Sequence, residues 1–162
     1  MMRWPIAAAA VLVNLVVAAT PALAASVDGN WLTEEKNAIV QISPCGNGQL
    51  CGRLAWVEIK PADDNPQATD GRDPSPELRN RPLCGLTIMW GFRADGTDHW
   101  SDGAIYDPQS GKTYRAEMTL RSDATLAVRG YVLVSLLGRS EAWTRFTQLV
   151  PHCPAMVPDP PR

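Results

Sequence analysis

The sequence predicts an all-β protein: a small antiparallel up-and-down barrel of about eight strands. From Gly29 onward, short runs rich in β-branched and aromatic residues recur along the chain. Turn-forming residues separate them, in Cys45-Gly46-Asn47-Gly48, Asp95-Gly96, Asp107-Pro108-Gln109-Ser110-Gly111, Ser122-Asp123 and Gly138-Arg139, each suited to joining antiparallel neighbours. No long amphipathic helical segment interrupts the series, and successive hairpins make a meander rather than a Greek key.

Trp31 opens the first strand, and Ala38–Ser43, Leu50–Ile59, Leu83–Phe92 and Gly103–Tyr106 follow. The next is the clearest: Tyr114, Ala116, Met118 and Leu120 alternate with Thr113, Arg115, Glu117, Thr119 and Arg121. That period of two puts apolar groups on one face and polar groups on the other. Thr125–Leu136 and Ser140–Leu149 complete the set. Two stretches break the meander. Residues 60–82 hold five prolines among Asp, Asn and Arg, and proline lacks the ladder donor of a central strand. Such a long excursion is expected to flank one barrel mouth. The tail 151–162 carries five more prolines and is expected to be extended.

The whole chain has 162 residues, 45% hydrophobic and 20% charged, with a formal net charge of -2. That usage excludes disorder, collagen and the basic surface that a nucleic-acid partner requires. The apolar run Ile6–Val17 follows Arg3 and precedes Ala22-Leu23-Ala24, the pattern of an export signal cleaved after Ala24. The expected organisation is therefore a signal peptide over 1–24, a barrel domain over 25–150 and the tail, with periplasmic or secreted localisation. The mature chain has 162 − 24 = 138 residues and, without Arg3, 14 basic against 17 acidic groups, a charge of -3. No later segment approaches the roughly 20 apolar residues of a membrane helix, so the mature form is expected to have no membrane span.

Four cysteines in a small exported domain read as two disulfides. The turn residues between Cys45 and Cys51 favour a bridge across a hairpin, which leaves Cys84 with Cys153. Neither pair has the C-x-x-C spacing of a zinc site, and no metal or cofactor is expected.

Gly29-Asn30-Trp31 enters the first strand and Trp143-Thr144-Arg145 lies in the last, and first and last strands are neighbours in a closed barrel. A G-x-W tryptophan with an arginine from the final strand resembles the calycin arrangement of lipocalins and their relatives, where the arginine stacks on the tryptophan and closes the base. Cation–π attraction and guanidinium donors reaching free carbonyls are the physical warrant. Gly29, Trp31, Trp143 and Arg145 are thus expected to be structural.

More broadly, the chain resembles the exported bacterial proteins catalogued as domain of unknown function 2147. The resemblance rests on Gly29-Asn30-Trp31, the Cys45 to Arg53 hairpin, Glu77 to Leu86, Trp100 with Gly103 to Pro108, Gly111 to Tyr114, Val128 to Tyr131 and Gly138 to Trp143. It implies a small calycin-like barrel exported to the periplasm, with no activity established for the family. One departure is Arg72-Asp73-Pro74-Ser75-Pro76-Glu77, where the family commonly reads Asn-Pro-Asp-Pro.

Arg79 and Arg81 end the excursion, and Arg129 sits in the apolar run Leu126–Val132. The alternation favours Arg129 pointing outward; pointing inward, it would join Tyr106, Asp107, Lys112 and Tyr114 in a polar patch gripping an anionic head group. These residues, with Arg79, Arg81 and Trp100, are the candidate ligand-binding set. Catalytic templates are missing: there is no G-x-S-x-G, H-E-x-x-H or phosphate loop, His99 reads as a loop histidine, and His152 lies in the tail. Asp63, Asp64, Asp70 and Asp73 lack the alternation of a calcium loop and read as solvated. The sequence therefore points to a binding or accessory protein for a small apolar or amphiphilic ligand, not an enzyme. The alternative is a filled barrel, packed by Trp56, Met89, Trp90, Met118 and Trp143, that contacts an envelope protein or cell-wall material.

Overall fold

A computed structural model describes residues 26–59 and 68–151. Residues 1–25, which include the expected signal peptide, residues 60–67 of the excursion, and residues 152–162 lie outside the described residues. Eight strands follow one another: β1 Gly29–Leu32, β2 Ala38–Gly46, β3 Gln49–Val57, β4 Thr87–Ala94, β5 His99–Asp107, β6 Lys112–Ser122, β7 Thr125–Tyr131 and β8 Gly138–Arg145. Each pairs with the next and β8 returns to β1, closing an up-and-down antiparallel barrel.

The alternation read in β6 holds in three dimensions, since Ala116, Met118 and Leu120 are all buried. They meet the inward face of β7, with Met118 opposite Val128 and Leu120 opposite Leu126. Gly103 in β5 is small for a reason of volume: a Cβ there would lie 2.4 Å from the Phe92 ring, which fills that space. Several of the sequence boundaries move: β5 begins at His99 rather than Gly103 and β8 ends at Arg145 rather than Leu149. β7 ends at Tyr131 rather than Leu136, because Leu133 turns to φ 69° and a 3-10 turn over Ser135–Leu137 leads into β8. β4 begins at Thr87 rather than Leu83, although Gly85 and Leu86 still exchange backbone hydrogen bonds with Leu54.

The meander gives the barrel two different ends. At one, Trp31 is fully buried and its indole donates to the Val27 carbonyl at 2.8 Å. The Arg145 guanidinium lies over that ring, 4.2 Å from its centroid, and donates to the carbonyls of Asp28, Ser26 and Asp123. Arg145 is opposite Trp31 in the β1–β8 register, so a pairing of chain ends places the stack. Trp143 is also buried, its indole donating to Glu141 at 3.0 Å. Among the described residues one disulfide pair is present rather than the two expected: Cys45–Cys51, across the β2–β3 hairpin, with Cα atoms 5.7 Å apart. The Cys84–Cys153 pairing falls outside the described residues, as Cys153 does.

Candidate functional site

The other end of the barrel is open, and a cavity of 1220 Å³ occupies it. Its existence follows from the strand pattern. Bulky groups fill the closed end, while toward the mouth the interior positions carry Val40, Leu54, Ile105 and Val128, and Gly130 presents no side chain. Of the residues expected to fill the barrel, Met89, Met118 and Trp143 are buried in the core, and the cavity lies on the mouth side of them. Charge gathers at the rim and on one wall. The described lining residues include four carboxylates (Glu35, Glu58, Asp107 and Glu141) against two guanidinium groups, Arg72 and Arg139.

Glu141 is the carboxylate set deepest in the sequence pattern of the wall. It lies opposite Val128 in the β7–β8 register, and Val128 is buried with the inward face of β7. Its neighbour two residues on is the buried Trp143, whose indole N–H donates to Glu141 Oε2. Arg139, two residues toward the mouth, opposes Gly130 and lines the rim.

The excursion folds back on the outside of the wall. Thr69 bridges Pro82, and the N–H of Asp70 donates to the Arg81 carbonyl. Asp70 and Asp73 are buried, not solvated as the sequence suggested. The reason is Arg81, whose Nη2 reaches Asp70 at 2.6 Å and Asp73 at 2.7 Å, while its Nε donates to Asp70 at 3.0 Å. The Tyr106 hydroxyl completes the cluster by donating to Asp70 Oδ1 at 2.6 Å. Tyr106 shares a face of the sheet with the exposed Thr113, so the excursion rather than the barrel interior buries it. Burial, first, then the hydrogen bond to Asp70 and the charges of Asp70 and Asp73 push the Tyr106 hydroxyl well above its ordinary pKa, with Arg81 opposing.

Of the eight candidate binding residues, Tyr106, Asp107 and Tyr114 border the cavity, and the Tyr106 hydroxyl is turned away to Asp70 beneath the excursion. Asp107 is also engaged in its own turn, accepting from the Gln109 N–H and the Ser110 hydroxyl. Arg129 does not join them. It is on the outer face of β7, where its guanidinium donates to the carbonyls of Ser135 and Leu136 and to the Ser140 hydroxyl, 3.9 Å from Glu117. The inward patch built on it is thereby corrected: the alternation that buries Leu126 and Val128 turns Arg129 out. Arg81 serves the buried cluster and Arg79 donates to the Asp73 carbonyl. Lys112 is exposed outside the cavity lining, and Trp100 packs against the core opposite Met118. His99 sits on β5 against the Thr119 hydroxyl, away from the cavity. Sequence reasoning missed Glu141 and Arg139; counting back by twos from Trp143 would have placed both on the inward face.

Among the described residues no group of His, Cys, Asp and Glu could hold a metal ion, and no helix is long and apolar enough to cross a membrane. A family model described as "Uncharacterized protein conserved in bacteria (DUF2147)" matches residues 29–145, and the chain belongs to that family. The barrel is similar to that of a Helicobacter pylori protein described as belonging to the lipocalin family. The TM-score is 0.66 at 22% identity, over 75% of this chain and 84% of that one. At that identity the likeness is one of fold. No curated protein matches.

Proposed function

We propose that this member of the DUF2147 family is a non-catalytic binding protein that holds a small amphiphilic molecule in the open half of its barrel. One observation carries the reading: the 1220 Å³ cavity has an aliphatic wall beneath a charged rim. Apolar walls with a few placed polar groups are the common form of a small-molecule site. The proposal includes export through the cleaved segment 1–24, residence in the periplasm, and a second disulfide between Cys84 and Cys153. An oxidising compartment suits both bridges. Mature protein purified without refolding and opened by solvent extraction is expected to release a lipid-like mass. The intact mass should begin at Ala25 and lie about four hydrogens below the reduced value, since each disulfide removes two. An empty protein that shows no thermal shift across a panel of lipids and detergents would refute the binding role.

A second reading has its own observation. Val132, Leu133, Val134, Leu136 and Leu137, between β7 and β8, are 53–87% exposed. Arg129 holds this loop by its carbonyls. A fixed exposed apolar loop is a contact surface for an envelope protein. Loss of captured partners on Leu133→Ser with Leu136→Ser would support it, and unchanged capture would count against it.

A further inference from the structure

Resting on the cavity-binding reading, we infer that the ligand presents a protonated amine to Glu141, so that the site selects cationic over anionic amphiphiles. Three observations carry this. First, Glu141 faces the interior: it opposes the buried Val128, and its i+2 neighbour is the buried Trp143. Second, its Oε2 accepts the Trp143 indole N–H at 3.0 Å, no hydrogen bond or salt bridge among the described residues engages Oε1, and that atom is not sealed in the protein. Arg139, on the same wall, forms no salt bridge with it. Third, Glu35, Asp107 and Glu141 set against Arg72 and Arg139 give the described lining no excess of positive charge to repel a cationic ligand.

An amphiphile filling the cavity would displace the water at Glu141, and an ionised group removed from water is costly unless it is paired. Glu141 is held in one orientation by Trp143 and offers one open oxygen, which suits a single ammonium better than a fork of donors. The body of the ligand would lie along Val40, Leu54 and Val128. An anionic head group, by contrast, would meet Glu141 on the wall and Glu35, Glu58 and Asp107 at the rim.

The test uses three probes of equal chain length, dodecylamine, dodecanol and dodecanoate, below their micellar concentrations. Each is titrated into the mature, disulfide-bonded protein at pH 7 with tryptophan fluorescence as the readout. A hydrogen bond to a charged group predicts that the amine binds roughly ten- to a hundredfold more tightly than the alcohol, with the carboxylate weakest. Glu141→Gln keeps an acceptor for the Trp143 indole, and should bring the amine's advantage over dodecanol to within about twofold. Dodecanoate binding as tightly as dodecylamine would overturn the inference, and that comparison needs no variant. An amine preference that survives Glu141→Gln would also overturn it. If none of the three binds, the cavity-binding reading itself fails, an outcome distinct from loss of selectivity.

Discussion

Removing Arg81 should unfold this protein more readily than removing any other charge on the excursion. Asp70 is 0% and Asp73 3% exposed, and the Arg81 guanidinium reaches both, at 2.6 and 2.7 Å. Arg81→Met retains the apolar stem and leaves two buried carboxylates without their cation. Breaking a buried pair from one side costs about 3–5 kcal/mol. Asp70 keeps the Tyr106 hydroxyl and Asp73 keeps the Ser75 N–H, so the low end, about 3 kcal/mol, is expected. At about 4 °C per kcal/mol for a domain of this size, Tm should fall by about 12 °C. Urea unfolding followed by tryptophan fluorescence, with calorimetry for Tm, measures it. Arg79→Met is the control, since Arg79 is exposed and donates one bond, to the Asp73 carbonyl. A loss below about 1 kcal/mol for Arg81→Met, the value of an exposed ion pair, would refute the account of the cluster.

Tyr106→Phe should destabilise by about 2 kcal/mol near neutral pH, the worth of a hydrogen bond to a charged acceptor, read by the same urea curves. Because the folded hydroxyl titrates above the unfolded value of about 10, its contribution is present below that pH and lost as pH rises through the folded value. The wild type should therefore lose stability above pH about 10 more steeply than Tyr106→Phe, and parallel profiles would contradict this. Gly111 has φ 69°, and a Cβ there would lie 2.0 Å from the Arg72 carbonyl oxygen. Gly111→Ala should cost more than about 2 kcal/mol by strain and displacement of the excursion, and a neutral calorimetric result would exclude that packing. Arg145→Lys keeps the charge but loses the planar stack on Trp31 and the fork of carbonyl contacts; a loss of about 2 kcal/mol is expected by denaturant titration. Wild-type stability in that variant would show that charge alone closes the base.

The barrel was legible from local pattern because a half-buried strand repeats every two residues whatever lies across from it. Thr113–Arg121 states its faces outright, and the punctuating turns set the up-and-down order. The ends of the strands were less legible. Val132–Leu137 is as apolar as a strand, yet it turns out of the sheet and stays exposed. Composition cannot distinguish those outcomes, since pairing of β7 with β8 stops at Tyr131 and Gly138.

The site divides in the same way. The sequence by itself determined the fold class and pointed to the G-x-W tryptophan with its final-strand arginine, because periodicity and turn chemistry are local and chain ends must meet in a closed meander. Only the tertiary structure decided which charges work on which side of the wall. Arg81 packs against the buried Asp70 and Asp73, 11 and 8 residues away, and Tyr106 reaches Asp70 across 36 residues. Glu141 faces in, although polar residues of a strand ordinarily face water. Charge is placed by partners, and partners distant in sequence are chosen by the fold.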